Sequence, residues 1–197
     1  MSLRRYLVSL SVATSIFLGS SAHAIPIVYE FNGTVFQGSL NGVNFTNKAF
    51  TVDVFGDTSG VVSGGLGLLF NPASSVTFSI AGIGSGTLLD SYRMFLTPSA
   101  VGFSHLPDEG DRIDVLNGAF AGYALATAFG PVTTGSNFIG QFLPDATTAG
   151  PLDMFQGANV SFRSFFPRAQ VPEPASLLLL ALGLIGLGFS RRKFVSA

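Results

Sequence analysis

The chain has 197 residues, only 11% of them charged, and a formal net charge of −1. Between Ile25 and Gln170 it has ten acidic and five basic residues, and the other basic residues lie near the two ends. This middle segment has no basic patch that could neutralise phosphates, so we do not expect it to bind nucleic acid. The absence of cysteine excludes disulfides, thiolate metal sites and cysteine nucleophiles.

The N-terminal segment has the features of a secretory signal peptide. Arg4-Arg5 provides positive charge, an apolar stretch follows, and Ala22-His23-Ala24 places small residues at the two positions that signal peptidase reads. We expect signal peptidase to cleave after Ala24. Residues 1–24 would then be a signal peptide, and Ile25 would begin the mature protein.

Residues 25–170 show a hydrophobic period of two, which predicts half-buried strands of an antiparallel sheet. The clearest alternation has apolar residues at Phe50, Val52, Val54, Val76, Phe78, Ile80, Val160 and Phe162. Between them lie Thr51, Asp53, Thr77, Ser79, Ser161 and Arg163, which should face the other way. We therefore predict an all-β fold, an antiparallel β-sandwich or jelly-roll-like domain flanked by the signal peptide and a C-terminal transmembrane helix.

Turn residues support this interpretation. Asn32-Gly33, Asn41-Gly42 and Asn117-Gly118 each separate apolar stretches, and Asn-Gly is the preferred pair for a type I′ hairpin turn. The glycine-rich segment 82–86 lacks the lysine of a phosphate loop, so a hairpin is the better interpretation. Residues 119–129 are the only competitor for a helix in this region, and we predict a strand over residues 120–126.

The densest polar cluster is a candidate calcium site. Its carboxylates are Asp108, Glu109, Asp111 and Asp114, grouped around Gly110. Calcium takes six to eight oxygen ligands, which such a loop could supply. The spacing does not match an EF-hand and a basic residue, Arg112, lies among the acids, so a solvated loop leading into a strand is the alternative.

We expect the middle domain not to be an enzyme. His105 is the only histidine outside the predicted signal peptide, and the chain has no Gly-x-Ser-x-Gly nucleophile elbow. One histidine without cysteine also argues against a zinc site. A secreted hydrolase that uses two of the ten acids stays a less favoured alternative.

The C-terminus has three parts in a fixed order. Val171-Pro172-Glu173-Pro174 comes first, an uncharged apolar run over residues 177–189 follows, and Arg191-Arg192-Lys193 closes the segment. The apolar run predicts a short transmembrane helix. The basic cluster should remain cytoplasmic under the positive-inside rule, with the β domain outside. An ordinary single-pass anchor with a proline-rich stalk is the alternative interpretation.

This ordered combination resembles the PEP-CTERM sorting signal of Gram-negative bacteria, here over residues 171–197. The resemblance implies cleavage at or near Pro172-Glu173-Pro174 by an exosortase, a membrane-embedded peptidase. It also implies a host that makes an exopolysaccharide or biofilm matrix. The chain would then be held briefly in the inner membrane by its C-terminal helix and reach the cell surface or extracellular matrix.

The favoured hypothesis is a non-enzymatic surface or matrix protein that associates with exopolysaccharide. We expect it to have no cofactor other than the calcium considered above. A carbohydrate-binding module of the matrix, which grips the polysaccharide through a loop face, is the alternative.

Overall fold

The computed structural model describes residues 24–107, 110–133, 137–139 and 144–167. The strands are β1 (Pro26–Leu40), β2 (Val43–Asp57), β3 (Val62–Gly65), β4 (Leu68–Pro72), β5 (Ser75–Ile80), β6 (Gly84–Thr87), β7 (Tyr92–Thr97), β8 (Ala100–His105), β9 (Asp111–Leu116), β10 (Phe129–Thr133), β11 (Asn137–Ile139) and β12 (Leu152–Phe165). Two short 3-10 helices cover Thr58–Gly60 and Gly118–Phe120. The compact unit that holds these elements ends at Phe166.

The strands form two antiparallel six-stranded sheets, which confirms the predicted all-β class. Sheet A has the order β10-β12-β1-β2-β5-β6, and sheet B has the order β11-β9-β8-β7-β4-β3. The long strand β1 pairs with β2 on one side and with β12 on the other, so it lies in the middle of sheet A. Sheet B is built around the consecutive strands β7, β8 and β9.

One hydrophobic core lies between the inner faces of the two sheets. The predicted inward residues of β2, β5 and β12 are buried, as the period-two pattern requires. Across the core, the ring of Phe31 on β1 lies 5.7 Å from that of Phe103 on β8. Within sheet A, it lies 5.3 Å from the ring of its paired neighbour Phe162 on β12. Each buried aromatic side chain removes a large apolar area from water, worth roughly 25 cal/mol per Å².

The Asn41-Gly42 turn is confirmed as the β1–β2 hairpin. Asn41 and Gly42 have φ angles of +50° and +79°, the positive values that a type I′ turn requires at both central positions. The predicted hairpin at residues 82–86 is also present, because β5 and β6 pair across a turn at residues 81–83.

Two predicted hairpins and one predicted strand are wrong. Asn32-Gly33 lies inside β1, where the pairing with β12 shifts register; a Cβ on Gly33 would meet both Phe50 and Val160 at 3.0 Å. Asn117-Gly118 opens a 3-10 helix instead of a hairpin, because the Asn117 side chain accepts a hydrogen bond from the Ala119 amide at 2.9 Å.

Residues 120–126 are not a strand. They form the end of that 3-10 helix followed by turns, and Leu125 adopts a positive φ of +56°. Phe120, Tyr123 and Leu125 are nevertheless buried, and the hydroxyl of Tyr29 donates a hydrogen bond to the Leu125 carbonyl at 2.5 Å. The apolar residues therefore cap the core from a loop, which period-two counting cannot distinguish from a strand.

The terminal signals lie outside the described residues, apart from Ala24 and Ile25, which are exposed just before β1. Ala22, the motif Val171-Pro172-Glu173-Pro174, the predicted transmembrane helix and the basic tail Arg191-Arg192-Lys193 are all outside. Among the residues that the structure describes, no helix is long and apolar enough to cross a membrane.

Candidate functional site

The outer face of sheet A carries two neighbouring rows of polar side chains, which we name the polar face. One row crosses all six strands and consists of Thr133, Ser161, Asn32, Thr51, Ser79 and Ser85. The next row consists of Arg163, Glu30, Asp53, Thr77 and Thr87. Paired residues of adjacent strands lie about 4.8 Å apart, so the longer row extends for roughly 24 Å.

Hydrogen bonds join the middle of the polar face into one network. The Arg163 guanidinium donates from Nε and from an Nη to the two carboxylate oxygens of Glu30, at 2.7 and 2.6 Å. The Asn32 amide donates to the Glu30 carboxylate, and the Thr51 hydroxyl donates to the Asn32 carbonyl oxygen at 2.6 Å. Because each group fixes its neighbour, the network presents its remaining donors and acceptors in set positions.

Asp53 is the incompletely satisfied member of the polar face. Its Oδ1 atom is buried and accepts no hydrogen bond from the described part of the protein. Burial raises the pKa of Asp53, the Glu30 carboxylate raises it further, and Arg163 opposes the rise. A buried acceptor without a donor costs free energy.

Aromatic rings border the polar face at one end. Phe165 and Phe55 flank Val28 in the next outer row, and both rings are half-buried. The Arg163 guanidinium lies 5.1 Å from the centre of the Phe165 ring. Polar groups beside half-exposed rings are suited to sugars, which present both hydroxyl groups and apolar C–H faces.

A second polar cluster lies at one end of the sandwich, where β9 meets the segment before β12. Arg112 on β9 donates to both oxygens of Asp145, from Nε at 2.9 Å to Oδ2 and from an Nη at 2.9 Å to Oδ1. The side chains are only 5% and 9% exposed. Burial raises the pKa of Asp145, and the hydrogen bonds and charge of Arg112 oppose that rise.

Asp90, His105 and Tyr92 complete this end cluster. His105 Nε2 lies 3.5 Å from Asp90 Oδ2, and the His105 and Tyr92 rings have centroids 5.3 Å apart. Ligand atoms of Asp90, His105 and Asp145 all lie within 4.8 Å of one another. The cluster thus combines one imidazole and two carboxylates.

Two of the four predicted calcium ligands can be placed. A register shift between β8 and β9 puts Asp111 opposite Ser104 and Asp114 opposite Gly102, so both acids belong to the outer face of sheet B. Burial raises the pKa of Asp114 to about 7, and the nearby Asp111 contributes to the rise. Asp108 and Glu109 lie outside the described residues, and calcium binding by this loop stays a prediction.

Sequence reasoning missed the end cluster because its members are far apart in the chain. Strand pairing brings them together: Tyr92 is opposite His105, and Asp145 bridges to Leu152. No spacing motif signals such a set. The members of the polar face on β2, β5 and β12, by contrast, are the outward residues of the predicted alternation, so only their joining into rows was missed.

The fold and its polar clusters define an all-β sandwich module, and a C-terminal segment follows it in the sequence. Residues 170–193 match the family model of the PEP-CTERM protein-sorting motif. This motif suggests processing by an exosortase and implies export and sorting to the cell surface. Searches of curated proteins and of solved structures gave no match for this chain.

Proposed function

We propose that the protein is a non-enzymatic component of the cell surface or matrix that associates with exopolysaccharide after processing at both ends. Signal peptidase would cleave after Ala24, and exosortase would cleave near Pro172-Glu173-Pro174 after a brief stay in the inner membrane. The sorting motif carries the first part of this proposal, since it directs the β domain outward. Two prolines around Glu173 disfavour helix there, which suits an extended segment open to a peptidase.

Intact mass tests the processing. For protein recovered from the native cell surface and medium, we expect a mass that fits a chain from Ile25 to the Pro172–Pro174 region, with or without an added adduct. Recovery of a membrane-bound chain that runs from Ile25 through Ala197 would contradict exosortase cleavage. The motif would then be a stalk in front of an ordinary membrane anchor.

The polar face favours direct binding to the polysaccharide, the second candidate function. Its hydroxyl, amide and charged groups form a surface roughly 24 Å across, long enough to contact several units of an extended chain. Such a sheet face differs from the loop face expected from the sequence. Hydrogen bonds to sugars there replace bonds to water, so we expect modest affinity per sugar and stronger binding to long chains.

Binding should depend on Asp53 and Arg163. Asp53→Asn and Arg163→Gln together should reduce cosedimentation with purified exopolysaccharide from the producing cells at least fivefold, because both remove charged partners for sugar hydroxyls. Arg93→Gln is the matched control, since Arg93 is opposite Ser104 in sheet B and its guanidinium lies 4.2 Å from the Phe70 ring. Equal binding by the double variant and the wild type would exclude the polar face as the contact.

A further inference from the structure

We propose that Asp90, His105 and Asp145 form a binding site for a divalent transition-metal ion, with Zn²⁺ as the expected occupant. The three side chains offer one imidazole nitrogen and two carboxylate oxygens within 4.8 Å of one another. These are ligand types that Zn²⁺ accepts, and three protein ligands leave a further position for water. The site is distinct from both the sorting motif and the polar face.

Backbone hydrogen bonds hold the three residues in place. The Leu106 amide donates to the Ser91 carbonyl at 2.9 Å, which fixes the end of β8 beside the residue that follows Asp90. The Leu89 amide donates to the Ala146 carbonyl at 2.9 Å, which fixes the residue before Asp90 beside the segment of Asp145. The ligands therefore come from three separate chain segments that are tied together next to the cluster.

Tyr92 is a buried neighbour of the cluster. The residue is 2% exposed, and its ring centroid lies 5.3 Å from that of His105. Its hydroxyl interacts with the Asp145 carboxylate, which Arg112 also contacts. A water molecule bound to the ion would be a further hydrogen-bond partner for this buried hydroxyl.

The charges of the cluster favour a cation. Two carboxylates and one guanidinium give the cluster a net charge of −1 when His105 is neutral. A divalent ion would change this net charge to +1. Arg112 remains on Asp145 as an outer partner that orients the carboxylate. The imidazole favours Zn²⁺ over Ca²⁺, which prefers oxygen ligands only.

One of the three proposed ligands, Asp90, is open to solvent. It lines a groove of about 230 Å³ together with Tyr92, Ser74, Ser75 and Thr87, and His105 and Asp145 do not line this groove. Asp90 itself is 43% exposed at its side chain. Metal bonds of about 2.0–2.2 Å require the ligand atoms to approach more closely than 4.8 Å, and the exposed Asp90 side chain has room for that movement.

The test is titration of the mature protein, recovered from cells and stripped with a chelator, with Zn²⁺ alone. We expect saturable binding in calorimetry and a rise in Tm, and Co²⁺ should give visible absorption bands of a nitrogen- and oxygen-ligated ion. His105→Gln and Asp90→Asn should each weaken Zn²⁺ binding at least tenfold. Asp153→Asn, at an acid on β12 that belongs neither to the cluster nor to the predicted calcium ligands, should leave it unchanged.

Two results would overturn the proposal. One is the absence of any Zn²⁺-dependent heat or Tm shift in the wild-type protein. The other is unchanged Zn²⁺ affinity in Asp90→Asn. The Asp90 side chain is 43% exposed, so this variant decides the question even if His105→Gln folds poorly. Binding of Ca²⁺ with the same affinity as Zn²⁺ would also contradict the assigned role of the imidazole.

Discussion

Replacing Arg112 with methionine should lower the free energy of unfolding by about 3–5 kcal/mol. Methionine keeps much of the length of the side chain but leaves the Asp145 carboxylate buried without its cation. Asp145 lines a cavity of about 10 Å³ whose other lining residues are mostly apolar, including Phe78, Leu88 and Phe103. Desolvation without a partner is the costly state, so the loss should exceed that from cutting an exposed ion pair.

Two further variants isolate the cause. Arg112→Met combined with Asp145→Leu removes both charges and should recover most of the lost stability, since an apolar pair suits this lining. Arg163→Met cuts the exposed pair with Glu30, where the Arg163 side chain is 50% exposed, and should cost ~1 kcal/mol or less. Urea denaturation followed by circular dichroism measures the free energy of unfolding of all three variants. A loss below about 1 kcal/mol for Arg112→Met would show that water reaches the Arg112–Asp145 pair.

The period-two pattern was sufficient to predict the class of the fold and the inner face of several strands. Phe50, Val52 and Val54 are buried, and Asp53 between them belongs to the outer face. This works because side chains alternate strictly along a strand, so a half-buried strand records its environment in its sequence. The outward residues of the same strands supplied much of the polar face.

The order of the strands could not be read in the same way. Sheet A places β12 beside β1, although the two strands are separated by most of the chain. Local turn signals also misled where packing decided the backbone: Gly33 is needed between Phe50 and Val160, so its Asn-Gly pair continues a strand instead of ending it. Sites assembled by such long-range pairing, as the end cluster is, are therefore invisible to motif analysis.

The two parts of the chain have different kinds of signal. The sorting motif must be recognised by an enzyme as a sequence, so a family model detects it in residues 170–193. The β domain needs only an alternating pattern to fold, and many sequences meet that requirement. The sequence therefore indicates the destination of the protein, whereas the two proposed binding sites depend on side chains that only the fold brings together.

The stability of the β domain should fall as the pH rises from about 4 to about 8, and Asp114 should be a main cause. Its pKa is raised to about 7 in the folded protein, mainly by burial and then by Asp111, whereas an unfolded aspartate titrates near 3.9. The folded state therefore holds this proton more tightly. The stabilisation is fully present below the unfolded pKa and is lost as pH rises through the folded value.

Asp114→Asn tests this assignment. Asparagine has the shape of the protonated acid and cannot ionise. At pH 8 the free energy of unfolding of the variant should therefore exceed that of the wild type by about 1–2 kcal/mol, after allowance for solvent screening at this half-buried position. This difference corresponds to a rise of roughly 4–8 °C in Tm. At pH 4 the two proteins should have nearly the same Tm. Thermal unfolding of both proteins across this range measures the difference, and a gap that did not grow with pH would assign the titration to another group.

Ca²⁺ that restored wild-type stability at pH 8 but had no effect on Asp114→Asn would identify the acidic loop as the calcium site that its sequence predicts.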